Sequence, residues 1–276
     1  MPNVAGIDVG LTLKDPTSGV CRSGDRGLLL RHTYIDRFSR ASQFENGERF
    51  DVLAIDAPIL RIGQLVYEVR PCEKVFVWGA FQTRCKPGET QIRGTGQALR
   101  RGGCETAEQF ASWLSKHSPF TIFPRIQHER DVIEAFPNGF LGVLLTDDAY
   151  AQMPRLNRNE KFDWLMDRCV DRQAFDGIRQ LINWPDDDLW KALLSNSQHD
   201  ERAALICAVT AACVWAGYYV AVGEKVGGYF FLPPWRLWQT WAKDALQANR
   251  NDRRLPRQIE VWIDGHRYSS NDELPN

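Results

Sequence analysis

The chain has no internal repeat and no low-complexity tract, which excludes solenoid, propeller and long-linker architectures. It also lacks net charge: Lys+Arg number 34 and Asp+Glu 35. A whole-protein pull toward nucleic acid is therefore excluded, and any such binding needs a local patch. Patterned cysteine is missing too. The 7 cysteines are odd in number, and the spacings Cys72 to Cys85 and Cys207 to Cys213 fit no zinc motif. The opening residues carry Asp8 and do not read as a secretory signal peptide. Reduced thiols in a cytoplasmic protein are the expectation.

Long apolar runs are scarce, with one exception. Ala203 to Val222, "AALICAVTAACVWAGYYVAV", has no charge and the length of a membrane span. Its richness in Ala, Cys, Thr and Gly, and the lack of a Lys/Arg cluster at one end, favour a central helix buried all round. No membrane partner is expected. With 276 residues the chain can bury a sizeable core.

What is present reads as an α/β protein. Residues 3–9 predict a strand. Residues 19–36 predict a hairpin turning at 24–27, and 50–58 and 131–137 predict two more strands, both apolar and both closed by proline. Helices are expected over 104–117 with Thr106 as N-cap, over 139–145, in one or two pieces over 157–182, and from "NWPDDDLW" (183–190) onward. In that last stretch Asp186, Asp187 and Asp188 suit a first turn. A long helix is expected from about Gln198 to Val222, capped by Ser197. Trp235, Trp238 and Trp241 are spaced for one helical face on the core, and "IEVWIDG" suggests an edge hairpin. Strands first, helices later and alternation between them favour a central mixed sheet.

Residues 61–102 stand apart. They hold Arg61, Arg70, Lys74, Arg84, Lys86, Arg93, Arg100 and Arg101 against Glu68, Glu73 and Glu89, with glycines and aromatics interleaved. An irregular basic excursion of this kind suits phosphate binding, with arginine for charge and aromatics for stacking.

Four acids share an oddity. Asp8, Asp56, Glu134 and Asp200, the last followed by Glu201, each end or begin an otherwise apolar element. Singly, such acids are turn, cap or ion-pair residues. Together they are the set that Mg²⁺ or Mn²⁺ requires, because hard cations take carboxylate oxygens, and two such ions can activate a water against a phosphodiester.

The pieces "AGIDVG" (5–10), "VLAIDAPI" (52–59), "RPCEKVFVWGAFQTRCKPG" (70–88), "VIEAFPNGF" (132–140) and "HDERAALICAVTAA" (199–212) stand in one order. In that order the chain resembles the RNase H-like superfamily, and more narrowly the domain-of-unknown-function family 429 of predicted nucleases. The resemblance implies a central five-stranded mixed sheet flanked by helices. It covers a domain over 1–234, including the basic insertion at 61–102 and a helical part at 139–195, with 235–276 as an extension packed upon it. It implies a metal-dependent nuclease using two Mg²⁺ or Mn²⁺ ions on DNA or RNA. Asp8, Asp56, Glu134 and Asp200 fall on the family's catalytic and metal-binding positions, with Glu201 as a further ligand. Arg70, Arg84, Lys86 and Arg93 would serve the substrate phosphates, with His199 and Thr12 in support. Many relatives show a further aspartate where this chain has Ala203, so His199, Asp200 and Glu201 are all candidates for that role.

Two other classes stay open. Asp8-x-Gly10-x-Thr12-x-Lys14 resembles the first phosphate loop of actin- and sugar-kinase-like ATP-using enzymes. A non-catalytic module that binds nucleic acid or protein on the same scaffold is the other.

Overall fold

The computed structural model describes residues 2–10, 17–34, 40–45, 48–60, 69–85, 95–110, 131–252, 254–255, 259–270 and 272–275. One mixed sheet organises them. Its first part is β1 (Val4–Asp8), β2 (Thr17–Ser23), β3 (Leu29–Tyr34), β4 (Val52–Asp56) and β5 (Asp131–Ala135). Its second part is β6 (Val220–Glu224), β7 (Gly228–Leu232), β8 (Glu260–Ile263) and β9 (His266–Tyr268). The order across the sheet is β3-β2-β1-β4-β5-β7-β6-β8-β9. β1, β4, β5 and β7 run parallel in sequence, and every other pairing is antiparallel. β1 (VAGID) and β4 (VLAID) are buried on both faces up to their terminal aspartates, which is why they read as unbroken apolar runs.

Helices cover both faces. On one lie α1 (Pro71–Phe76), α2 (Gly79–Arg84) and α3 (Thr95–Phe110), with α10 (Thr240–Arg250) packed on α1 and α2. Across the other runs α9 (His199–Trp215), backed by α4 (Pro137–Gly142), α7 (Ala174–Ile182) and α8 (Asp187–Ser195). α5 (Asp147–Ala151) and α6 (Arg158–Asp171) complete the set among the described residues, α6 resting on α4 and α7.

α9 is the central helix. Every residue from Ala203 to Val214 is buried, so no polar stripe marks an outer face. It lies backbone-close to the sheet. A Cβ on Gly6 would stand 2.2 Å from the Ala204 carbonyl oxygen and 2.3 Å from the Ala208 nitrogen. A Cβ on Gly19 would stand 1.9 Å from the Asp200 carbonyl oxygen. Asp200, Ala204 and Ala208 are one turn apart, so one edge of the helix lies along β1 and β2.

The structure differs from the sequence reading in several places. The sheet has nine strands rather than five. The uncharged stretch from Ala203 is helix, turn and strand, and no described helix is long and apolar enough to cross a membrane. α9 stops at Trp215 because Gly217 takes φ +80°. The Tyr218 N–H donates to the Cys213 carbonyl and the Gly217 N–H to that of Val214, a left-handed helix stop. Gln198, not Ser197, caps α9, its side chain accepting from the Glu201 N–H. α3 begins at Thr95, not beside Thr106. Thr106 is interior and returns its hydroxyl to the Gly102 carbonyl at 2.6 Å. Residues 111–117 lie outside the described residues. β8 pairs with β6 from Val220↔Ile263 to Gly223↔Glu260, so part of 235–276 belongs to the sheet itself. Trp235 and Trp238 are buried as expected, but only Trp241 lies in α10.

A Gly6→Ala substitution pushes a methyl into the α9 backbone, which cannot yield as a side chain would. Urea melts should show a loss of at least ~3 kcal/mol, the upper end for overpacking, or no cooperative transition at all. A loss under 1 kcal/mol would mean α9 sits farther from β1 than described.

A candidate carboxylate site where two strands and a helix meet

Asp8 and Asp56 are direct partners in the parallel β1–β4 register. They close two adjacent strands, so both carboxylates emerge side by side at the carboxyl edge of the sheet, half-buried. They point to the α9 face, because Gly6, two residues before Asp8, meets that helix. The β1–β2 register ends at Ile7↔Val20, and one further step sets Asp8 opposite Gly19. Gly19 in turn pairs with His32 on β3. Asp56, Asp8, Gly19 and His32 thus form one row across four strands. The missing side chain of Gly19 leaves the gap into which Asp200 descends.

The first turn of α9 offers three candidates, and hydrogen bonds sort them. His199 Nδ1 is 2.9 Å from Asp163 Oδ2, which ties the ring to α6. Glu201 accepts from the His32 backbone N–H at 3.1 Å and from Asn196 Nδ2 at 2.6 Å. Asp200 Oδ2 lies 3.1 Å from His32 Nδ1. Of the two acids, Asp200 is the one whose charge acts on Asp8. Burial first, then the carboxylates of Asp56 and Asp200, hold the Asp8 carboxyl well above the ordinary carboxylate range, while His199 and Arg40 offset part of the effect. Cys207, two turns along α9, is buried against the same pair. Burial, Asp56 and Asp8 all push its thiol up, so it is not a ready nucleophile.

Glu134 is not part of this group. It pairs with Ile55, one residue out of step with Asp56, and so faces the opposite side of the sheet. There Arg70 grips it with two 2.6 Å hydrogen bonds and bonds Glu73 at 2.8 and 3.0 Å. Arg70 is fully buried, with Arg100 close enough for its charge to be felt. This corrects the expectations for both residues: the motif arginine binds a protein carboxylate, and the strand glutamate binds that arginine.

The basic stretch holds two short helices and the start of α3 among its described residues, rather than a loop. Arg84 pairs with Asp147 at 2.7 Å and stacks on Tyr150 and Trp241, which roots it in the protein. Lys86, Arg93 and Thr12 lie outside the described residues.

Two site residues had no signal in the sequence. His32 shows no metal spacing, and only the strand register brings it to Asp200. Arg40 is 2% exposed, donating to Ser18 Oγ at 2.8 Å and Thr106 Oγ1 at 3.3 Å, and its charge acts on Asp8. Arginine spacing does not reveal such a position.

The donor set suits a hard divalent cation: carboxylate oxygens on two strands and a helix, crowded enough that Asp8 keeps its proton more tightly than an ordinary carboxyl. Among the described residues, no group of three or more His, Cys, Asp or Glu is arranged to hold a metal ion as it stands. No protein-family model, no curated protein and no solved structure matches the chain.

Two outcomes follow from these positions. The folded-state pKa of Asp8 lies above its ordinary 3.8, so the folded protein binds that proton more tightly than the unfolded chain. In EDTA, stability should fall as pH rises above about 4 through the raised value. Asp8→Asn should abolish that fall, giving a higher Tm than wild type at pH 7 and a smaller difference at pH 4. A lower Tm at pH 7 would contradict the crowding. Glu134→Gln breaks a buried ionic bond, and urea melts should register about 3 kcal/mol lost. If Mn²⁺ raises the Tm of wild type, that rise should survive Glu134→Gln, whereas loss of a metal ligand would remove it.

Proposed function

We propose that this protein is a divalent-metal-dependent phosphodiesterase of the RNase H-like kind, cutting DNA or RNA with an activated water. The observation that carries the reading is the in-register pair Asp8↔Asp56 at the ends of adjacent parallel strands, with Asp200 set over them by α9. Acids of this sort are normally paired or spread apart, and a crowded, half-buried set is costly unless it has a use. Topology supports the reading as well. The first five strands form one contiguous mixed block, β1 at its centre carries the aspartate, and a late helix brings the last acid. The choice of nucleic acid as substrate comes from the resemblance of the motifs.

Asp8, Asp56 and Asp200 would hold the cation. When bound, the ion supplies charge against the phosphate and lowers the pKa of a water. The chain's own contribution is rigidity. Asp8 and Asp56 are fixed by strand ends whose backbones are hydrogen-bonded on both sides. Asp200 stands at the positive end of α9, whose dipole favours negative charge there. Arg40, held by Ser18 and Thr106, adds positive charge near Asp8. Among the described residues the thiol beside the pair, Cys207, is buried and pushed toward its protonated form, which favours water as the attacking group.

Purified wild type and Asp56→Asn should be incubated with labelled single- and double-stranded DNA and RNA, in Mg²⁺, Mn²⁺ or EDTA. Cleavage by wild type with metal alone, reduced at least 100-fold in the variant, is expected. Cutting that persists in EDTA or in Asp56→Asn would sink the reading. A Mn²⁺ thermal shift without cutting of any substrate would keep the metal site and remove the nuclease activity, leaving a binding module.

A further inference from the structure

We propose that residues 269–275, described at 269, 270 and 272–275, act as a releasable strap. The groove under them, between α10 and the 3₁₀ turn Trp235–Leu237, is then a docking site for an extended peptide held by its main chain. Its occupant is the chain's own segment. The inference does not rest on the proposed metal site.

The described hydrogen bonds between segment and groove all use main-chain groups of the segment. Arg250 on α10 donates through Nη1 to the Ser269 carbonyl at 3.1 Å and through Nη2 to the Asp272 carbonyl. Trp235 Nε1 donates to the Pro275 carbonyl at 2.8 Å, and the Leu274 N–H reaches Gln247 Oε1 at a long 3.4 Å. Lys243, Gln247 and Arg250 stand at i, i+4 and i+7, so they share one face of α10, and Lys243 lies over the Trp235 ring at 5.1 Å. The segment offers one apolar anchor. Leu274 packs on the core, while Asp272, Glu273 and Pro275 are exposed. Main-chain bonds for affinity and a side-chain pocket for selection are how extended peptides are held.

The segment is shaped by its own bonds. The Asp272 N–H donates to the Ser269 carbonyl at 3.1 Å. Asp272 Oδ2 in turn accepts from the Ser269 N–H at 2.6 Å and the Ser269 hydroxyl at 2.8 Å. This clasp brings two carbonyls together, and the forked guanidinium of Arg250 meets both. The Asp272 carboxylate is used inside the segment. Arg250 is 1% exposed, yet it makes no salt bridge and its Nε has no hydrogen-bond partner among the described residues. Arg70 is the contrast, since two carboxylates grip it. Breaking such a pair leaves a charge buried and unpaired, which is strongly destabilising. At Arg250 the partners are carbonyls of the segment itself. Lifting the segment returns the guanidinium to water, which offsets part of the lost hydrogen bonding. The strap therefore opens more readily than a contact closed by an ion pair.

The test begins with native-state hydrogen exchange on the wild-type full chain. The Trp235 indole N–H and the Leu274 amide should exchange through a local opening, with protection at least ~10-fold below that of core amides such as Val209. Equal protection would overturn the strap. A labelled peptide with the sequence of residues 269–275 should then be titrated into wild type, Leu274→Asp, and Leu274→Asp combined with Arg250→Gln, and followed by anisotropy. A tethered segment competes at high effective concentration, so the peptide should bind Leu274→Asp at least ~10-fold more tightly than wild type. Adding Arg250→Gln should remove that gain, and a peptide with aspartate in place of leucine should not bind. Equal binding to wild type and Leu274→Asp would overturn the docking site. So would a gain that survives Arg250→Gln, or no binding to a Leu274→Asp protein that still melts cooperatively. If Leu274→Asp does not melt cooperatively, Leu274→Ala takes its place with the same expected order. A wild-type dimer in sedimentation that Leu274→Asp abolishes would make the occupant a second copy's segment and overturn the intramolecular strap.

Discussion

The depth at which α9 meets the sheet governs the whole arrangement. Backbone touches backbone at Gly6 and Gly19, and small residues such as Ala204 and Ala208 keep the helix low along its length. A helix riding on ordinary side chains would hold its first turn several ångströms higher. Asp200 would then clear the strand ends instead of joining them. The same closeness brings the positive end of a 17-residue helix against carboxylates that crowd one another.

The two faces of the sheet treat buried acid in opposite ways. Behind β5, Glu134 and Glu73 share the Arg70 guanidinium, and each oxygen so engaged has a donor. Such a cluster gives little net stability but punishes the loss of any partner. In front of β1 and β4, Asp8, Asp56 and Asp200 face one another, with Arg40 and His199 as partial offset. One cluster is closed by the protein. In the other, like charges crowd together and raise the Asp8 carboxyl. This contrast, more than the number of acids, separates a structural ion group from a candidate site.

The elements near the site were legible because their signals are local. β1 and β4 read as apolar runs ending in aspartate, and the structure puts those aspartates side by side. Glu134 had the same local look yet faces away, since one residue of register reverses the direction of a side chain and register is invisible without the partner strand. Arg70 read as a phosphate ligand for a like reason: its partner stands 64 residues away. β6 and β7 were hidden in composition, as β6 follows α9 with only a glycine stop between two uncharged stretches, whereas "IEVWIDG" read as the edge hairpin that β8 and β9 form. His32 and Arg40 carried no pattern at all, because they enter through cross-strand pairing and burial.

Sequence distance also dictates when the site can exist. Asp8 and Asp56 are made early, while Asp200 comes after most of the helical part of the chain. Contacts this distant in sequence form slowly. Until α9 emerges, β1, β2 and β4 carry a bare trough lined by Val4, Cys21, Val52 and Ala54, with no helix to fill it. During synthesis that trough is an adhesive surface of the kind chaperones attend to. A growing chain is therefore at its most vulnerable, and without its third carboxylate, over the same interval, and both conditions end with the docking of one helix.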